Sequence, residues 1–255
     1  MTQEAALALA INSFVVGCKS DGTWDAIKAC CIMAAWDGLN GALYPLKGAA
    51  PTNVGGLFVT GDYNRETGLI GDGSNKSINS NRNNNVDPQN SFHYSLYATT
   101  AATTYAKAYF GVGNNETGAT NFGLIDASSL FIRCRSSASS ILSTTGAGFL
   151  GASRNNSASF TARSNGSSST FIQASETPLN ALLHIFSTSS GFHSNPRVAF
   201  YSIGESLDLA LLDTRVTRLV AEITFALNTG LSGASYDIDT INYINAGYAA
   251  GGTLE

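Results

Sequence analysis

A chain of 255 residues with a formal net charge of −4 is long enough to bury a sizeable core without disulfide staples, and it lacks the basic surface on which nucleic-acid affinity rests. Charged residues make up 13%, about half the ~25% usual in soluble domains, so the surface is built from the neutral Ser, Thr, Asn and Gly that crowd the middle of the chain. No run reaches the ~18 apolar residues of a membrane span, and residues 1–10 carry an acid and no base ahead of their apolar run, which does not make a secretory leader.

Residues 4–17 and 22–36 read as two helices. In the second, Trp24, Ile27, Cys31 and Ala34 recur at the three-to-four spacing of a buried face, with Asp21 or Thr23 as cap and Asp37-Gly38 as stop. Joined near Cys18 and Gly22, the two predict a helical hairpin whose apolar stripe must be buried on the rest of the molecule or on a neighbouring subunit. The four cysteines, Cys18, Cys30, Cys31 and Cys134, have neither paired spacing nor scaffold density. They read as reduced, buried thiols, with a bridge from Cys18 to Cys30 or Cys31 as the alternative. Residues 39–55 form a connector.

Residues 56–82 open a different regime. Short apolar pieces at 57–59 and 69–70 are cut apart by Gly61-Asp62, Gly68 and Gly71-Asp72-Gly73, the punctuation of short strands whose turns need φ > 0. The polar run 79–90 ends in the turn signal Asp87-Pro88 and reads as an exposed loop. From Ser91 onward, strands are predicted at 92–99, 104–112, 120–126, 129–135, 139–144, 147–153, 157–164, 169–174, 181–187 and 196–203. Phe160, Ala162 and Ser164 alternate with Thr161, Arg163 and Asn165 as on a half-buried strand. Spacings of about ten residues argue for antiparallel hairpins in a sandwich or barrel.

The period then changes. Over residues 206–227, Leu209, Leu212, Val216, Leu219, Val220 and Ile223 share one helical face behind a Ser206 cap, and a second short helix is predicted near Ser235. The chain divides into an N-terminal helical segment (1–40), a β-sandwich domain (41–205) and a C-terminal helical segment (206–255). Because the helices exceed what one sandwich needs to cover itself, Leu209, Leu212, Val216, Leu219 and Ile223 are read as an assembly face of a homo-oligomer.

Chemistry-bearing clusters are sparse. His93, His184 and His193 have no neighbouring carboxylate or thiol at ligand spacing, and there is no Gly-x-Ser-x-Gly nucleophile elbow. The acid pairs Asp237/Asp239 and Glu205/Asp208 are the candidates for sugar cleavage, which needs two converging carboxylates. Asp62 with Asn64, Asp72 with Asn75, and Asn83 to Asp87 offer turn oxygens of the kind calcium accepts, without an EF-hand pattern; no cofactor or metal is assigned. The ligand-facing candidates are Tyr63, Asn64, Asp72, Asn75, Asn83 and Asp87, together with strand and turn aromatics such as Tyr94, Tyr97, Tyr105, Tyr109, Phe122, Phe149, Phe192 and Tyr201, on which sugar rings can stack.

Two blocks carry a resemblance. Gly61-Asp-Tyr-Asn-Arg-Glu-Thr-Gly-Leu-Ile-Gly-Asp-Gly-Ser-Asn-Lys resembles a segment of laminin-G-like, concanavalin A-like sandwich modules in bacteriophage virion proteins, and Phe200-Tyr-Ser-Ile-Gly-Glu-Ser-Leu-Asp-Leu-Ala-Leu-Leu-Asp-Thr-Arg-Val resembles the strand-then-helix that closes them. Asp21-Gly-Thr-Trp-Asp-Ala-Ile-Lys and Ala42-Leu-Tyr-Pro-Leu resemble their preface, so the likeness runs over most of the chain. One departure is Asn75-Lys-Ser-Ile-Asn, where the family has Thr-Lys-Tyr-Leu. The resemblance implies a mainly β, antiparallel jelly-roll sandwich with an N-terminal helical hairpin and a C-terminal helix. It also implies a non-enzymatic place on the virion, assembled in the host cytoplasm, in a tail fibre, tail tip or head decoration. Its partners would be other virion proteins and host-surface glycans, with no nucleic acid and no membrane insertion. A glycan-degrading sandwich enzyme and a purely architectural subunit are the rival readings.

Overall fold

The structure, a computed structural model, describes residues 2–228; the short helix expected near Ser235 and the Asp237/Asp239 pair lie outside the described residues. In chain order the elements are α1 (Gln3–Ser20), β1 (Ile27–Ile32), α2 (Leu39–Ala42), β2 (Pro45–Lys47), β3 (Thr52–Asn53), β4 (Tyr63–Asn64), β5 (Gly68–Ile70), β6 (Ile78–Asn83), β7 (Phe92–Thr100) and β8 (Phe110–Val112). They continue with β9 (Ala119–Asp126), β10 (Ser129–Ser136), β11 (Ser140–Ser143), β12 (Gly148–Arg154), β13 (Ser159–Ser164), β14 (Ser167–Ile172), β15 (Leu182–Ile185), β16 (Arg197–Gly204) and α3 (Leu209–Asn228). The strands form the expected antiparallel sandwich of two sheets with a helix from each end of the chain. One sheet runs β14-β13-β12-β7-β16-β1-β2, with β5 hung on β16 and β4 on β5; the other runs β11-β10-β9-β8-β15-β6-β3.

Two cores result. Between the sheets lie Tyr94, Leu96, Phe110, Phe122, Ile132 and Tyr201 with their neighbours. On the far side of the β7-β16 sheet, α1 and α3 lay Leu7, Phe14, Leu212, Val216, Leu219 and Ile223 over Phe149 and Phe200. The molecule is thus three layers deep, helices on sheet on sheet, and the outer face of the β9-β8-β15 sheet is left to loops. Thr2 caps α1 by accepting from the Ala5 amide at 3.2 Å. Asp208, not Ser206, caps α3, accepting from Ala210 N at 2.7 Å and Leu211 N at 3.3 Å; a carboxylate there also suits the helix dipole. Ser206 instead sits 3.1 Å from the Ser91 hydroxyl.

Three expectations are corrected. Residues 22–36 are not a helix, so the N-terminal hairpin is one helix followed by a strand: β1 runs between β16 and β2, sending Ala29 and Cys31 into the inter-sheet core and Cys30 and Ile32 toward the helices. A strand buried on both faces reads as an unbroken apolar run, which periodicity alone does not separate from a buried helix. The first forty residues are therefore partly sandwich. The run 79–90 is an exposed loop only in part: it begins within β6, and beyond it Asn85, Val86, Pro88 and Asn90 are exposed while Asn84 and Asp87 are buried. Their task is to satisfy a buried guanidinium, since Arg135 donates to the carbonyls of Asn84, Asp87 (3.2 Å) and Pro88 (2.6 Å) and lies 3.8 Å over the Phe92 ring. Third, only 110–112 of the strand expected at 104–112 is strand. The rest is a loop pinned by the Asn195 Oδ1, which accepts from the Thr103 and Thr104 amides at 2.9 and 3.1 Å.

Leu209, Leu212, Val216, Leu219 and Ile223, read from sequence as an assembly face, are buried in the helix-side core of their own chain. The four cysteines are free and buried. In the Gly61-to-Lys76 block, Gly68 holds φ +87°, and a Cβ there would meet the Val198 carbonyl oxygen at 2.0 Å, so this turn against β16 admits only glycine.

Candidate functional site

The structure divides the six sequence-predicted ligand residues into two groups and engages most of their polar atoms internally. Lys76 donates to both Asp62 oxygens, at 2.6 and 2.7 Å, and so ties the turn bearing Tyr63 and Asn64 to the turn bearing Asp72 and Asn75. Tyr63 donates to the Trp36 carbonyl at 2.5 Å, and burial pushes its phenol up to about 12. Asn64 Oδ1 accepts from the Glu66 and Thr67 amides, and Asp72 Oδ1 from those of Ser74, Asn75 and Lys76. Asn83 and Asp87 lie elsewhere: Asn83 is 3.4 Å from the Asn180 oxygen, and Asp87 is ion-paired to Arg82. Of the other acids, Glu205 pairs with Lys28 at 2.9 Å and Asp208 caps α3. Carboxylates already neutralised or wrapped in amides are poor cation ligands. Of the aromatics, Tyr94, Tyr109, Phe122 and Tyr201 are inter-sheet core and Phe149 is helix-side core, whereas Phe192 stands 45% exposed.

Phe192 marks a cavity of about 250 Å³ on the outer face of the loop-covered sheet, lined among others by Asn121, Ile125, Phe131, Arg133, Asn115 and Thr188. Strand alternation builds its floor. On β10, Leu130, Ile132 and Cys134 enter the core, so Phe131 and Arg133 face out; on β9, Phe122 and Leu124 enter it, so Asn121 and Ile125 face out. Arg133 and Asn121 are register partners. Phe192, Ile125 and Phe131 supply an apolar wall, and Lys107 Nζ lies 5.3 Å from the Phe192 ring centre. Arg133 donates to the Ser137 carbonyl and to Asn115 Oδ1, both at 3.0 Å. Burial lowers its pKa, opposed by the Glu116 charge.

Asn121 is the unusual member. It is 1% exposed, and its Nδ2 donates to the carbonyls of Gly113 (2.7 Å) and Asn114 (3.0 Å), which fixes the amide's orientation because a flip would set oxygen against oxygen. Its Oδ1 is enclosed and has no partner, a state that costs about 1–3 kcal/mol until a donor arrives. A larger cavity of about 830 Å³ lies between α3 and β12, but the charged groups Asp213 and Arg215 on its wall are paired with Arg163 (2.8 Å) and Asp21 (2.7 Å). The sequence names Phe192 only as one of many strand and turn aromatics, does not distinguish it from Tyr105, which is also exposed, and does not single out Asn121 or Arg133. The alternation of Phe131 and Arg133 with Leu130, Ile132 and Cys134 is the signal that marks an outward face on β10.

No family model matches the sequence, and no curated protein matches it. Solved structures of low identity do. They include the binding domain of botulinum neurotoxin serotype D (TM-score 0.48, 11% identity, covering 79% of this chain and 52% of that one) and a receptor binding domain (0.45, 12%, 81% and 53%). An α-L-arabinofuranosidase is a third (0.42, 10%, 81% and 50%). The match spans about half the length of each of these chains. At these values the likeness assigns nothing to the cavity.

Proposed function

We propose that this chain is a non-enzymatic glycan-binding module on the surface of a bacteriophage virion, in a tail fibre, tail tip or head decoration, where it attaches the particle to host-surface sugars. The observation that carries the binding reading is the Asn121 amide, an unsatisfied buried acceptor on the floor of a cavity walled by Phe192 and Ile125. Sugars present just this pairing of surfaces, an apolar ring face beside hydroxyl donors. The cavity lining includes no Asp or Glu, which supports binding over hydrolysis, since glycosidases place two carboxylates roughly 5–10 Å apart around the scissile bond. The virion placement rests on the resemblance of the 61–76 and 200–216 segments. Assembly through Leu209, Leu212, Val216, Leu219 and Ile223 is not part of the proposal, because those side chains pack within the chain.

A glycan array with the purified protein tests this reading. Bound glycans are expected, and Phe192→Ala should weaken them about tenfold, as loss of one aromatic contact of ~1.5 kcal/mol implies, with an unchanged melting temperature because the ring is half in solvent. An array without hits, or hits indifferent to Phe192→Ala, refutes it; release of reducing ends from a bound glycan moves the assignment to the hydrolase.

A further inference from the structure

Among the described residues, three arginines are buried, Arg133, Arg135 and Arg154, and none of the three meets a carboxylate at ion-pairing distance, whereas Arg65, Arg82, Arg163, Arg215 and Arg218 each do. A guanidinium taken out of water must find acceptors instead. Two of the three find them in the backbone. Arg135 donates to the carbonyls of Asn84, Asp87 and Pro88, and Arg154 to those of Cys134, Asn156, Ser159 and Gln173. Arg133 has one carbonyl, that of Ser137, and the side-chain oxygen of Asn115. A guanidinium carries five N–H groups, so the Nε–H and one hydrogen on each terminal nitrogen of Arg133 are left over, on a side chain that lines the Phe192 cavity. Nothing in the lining balances this charge, since it holds no Asp or Glu. Lys107, 5.3 Å from the centre of the Phe192 ring, adds a second cation at the wall. Glu116, whose charge acts on Arg133, is exposed and outside the lining, and its carboxylate accepts from the Asn114 amide.

Resting on the glycan-binding reading, we propose that the cavity takes a single uronic-acid unit, its carboxylate on Arg133 and a neighbouring hydroxyl on Asn121. The class follows from what each side chain lacks. Arg133 lacks acceptors, and a planar carboxylate matches the guanidinium fork with two parallel hydrogen bonds. Asn121 lacks a donor, because its Oδ1 is unpaired while its Nδ2 is held by the Gly113 and Asn114 carbonyls. A sulfate ion would answer the first need and leave the second. A neutral sugar would answer the second and leave the first. Arg133 and Asn121 are register partners on β10 and β9, so their side chains leave the sheet about 5 Å apart, a spacing that suits a carboxylate and a hydroxyl on adjacent carbons of one ring. The cavity of about 250 Å³ is below the ~300–1,000 Å³ of sites for drug-sized ligands, so it houses one ring, with Phe192 against the apolar face.

Ligand-observed NMR titration of the full chain with two matched series tests the proposal: glucose, glucuronic acid and its methyl ester, and the same three forms of galactose. In at least one series the acid should bind about ten- to hundredfold more tightly than the neutral sugar, the range that charge-assisted hydrogen bonds imply. The ester, which keeps the ring and hydroxyls and loses the charge, should fall back to the neutral sugar, a comparison that needs no variant. Arg133→Gln should bring the acid-to-neutral ratio to about one, and Arg133→Lys, which keeps the charge without the fork, should restore part of it. Equal affinities within each series, a preference that survives esterification or Arg133→Gln, or no binding of single units to a protein that scores on the glycan array overturns the proposal while glycan binding stands. No binding of single units together with an empty array overturns the reading beneath it as well.

Discussion

Leu219→Ala separates a core helix from an assembly helix. Leu219 is 1% exposed, held in the layer between α1, α3 and the outer face of the β7-β16 sheet. Packed on one side by a helix and on the other by a sheet, the site has little room to collapse, so the deletion falls within the 2–5 kcal/mol measured for buried Leu→Ala changes, and we expect about 3 kcal/mol. In a chain of this size each kcal/mol lowers the melting temperature by roughly 2–4 °C, which gives a fall of about 6–12 °C. Leu211→Ala on the same helix, 39% exposed, is the internal control and should change stability by less than ~0.5 kcal/mol. Urea unfolding followed by circular dichroism gives the stability, and sedimentation equilibrium gives the mass. If Leu219→Ala keeps wild-type stability while the mass in solution falls, α3 is an assembly face and the packing described above is wrong.

Acid sensitivity should centre on His93. Its Nδ1 donates to the Glu205 carbonyl at 2.5 Å and its Nε2 then accepts from Ser202 at 3.1 Å, and burial pushes the imidazole down to about 4 from its ordinary 6.5. Between those values the unfolded chain binds a proton that the folded chain refuses, so stability is full above about pH 6.5 and falls as the pH drops, by about 3 kcal/mol at pH 4 from this group. His184 and His193, also lowered, act in the same direction. Urea midpoints from pH 7 to 4 should show a shallower loss in His93→Asn, and an equal slope in both proteins would contradict the assignment. The thiols give a further check. Burial raises Cys18 and Cys134 to about 11, Cys30 to about 12 and Cys31 further still, so iodoacetamide at pH 8 should leave the native protein unmodified and alkylate all four cysteines in guanidinium without reductant. A mass gain of only two groups in denaturant would reveal a disulfide.

What could be read from the sequence were elements whose local pattern matches their burial. Phe160, Ala162 and Ser164 alternate because β13 has one face in the core, and Leu212, Val216, Leu219 and Ile223 recur because one side of α3 does. What misled was sequence whose neighbours on both sides are protein. Ile27 to Ile32 carries no alternation because both of its faces are covered, and within the otherwise exposed polar run 79–90 Asn84 and Asp87 are buried because the carbonyls there serve a guanidinium, Arg135, that belongs to a distant strand.

Local pattern was enough to show that a charge-poor, turn-rich chain folds as antiparallel strands flanked by helical segments, since periodicity and glycine placement act over a few residues. Which segment beside Cys30 is strand rather than helix, and which sheet faces stay available, came from the packing of distant parts of the chain. Arg133, Asn121, Thr188 and Phe192 come from strands and loops scattered along the chain and line one cavity, and inter-strand register, set by the closure of the whole sheet rather than by any local preference, is what brings them together.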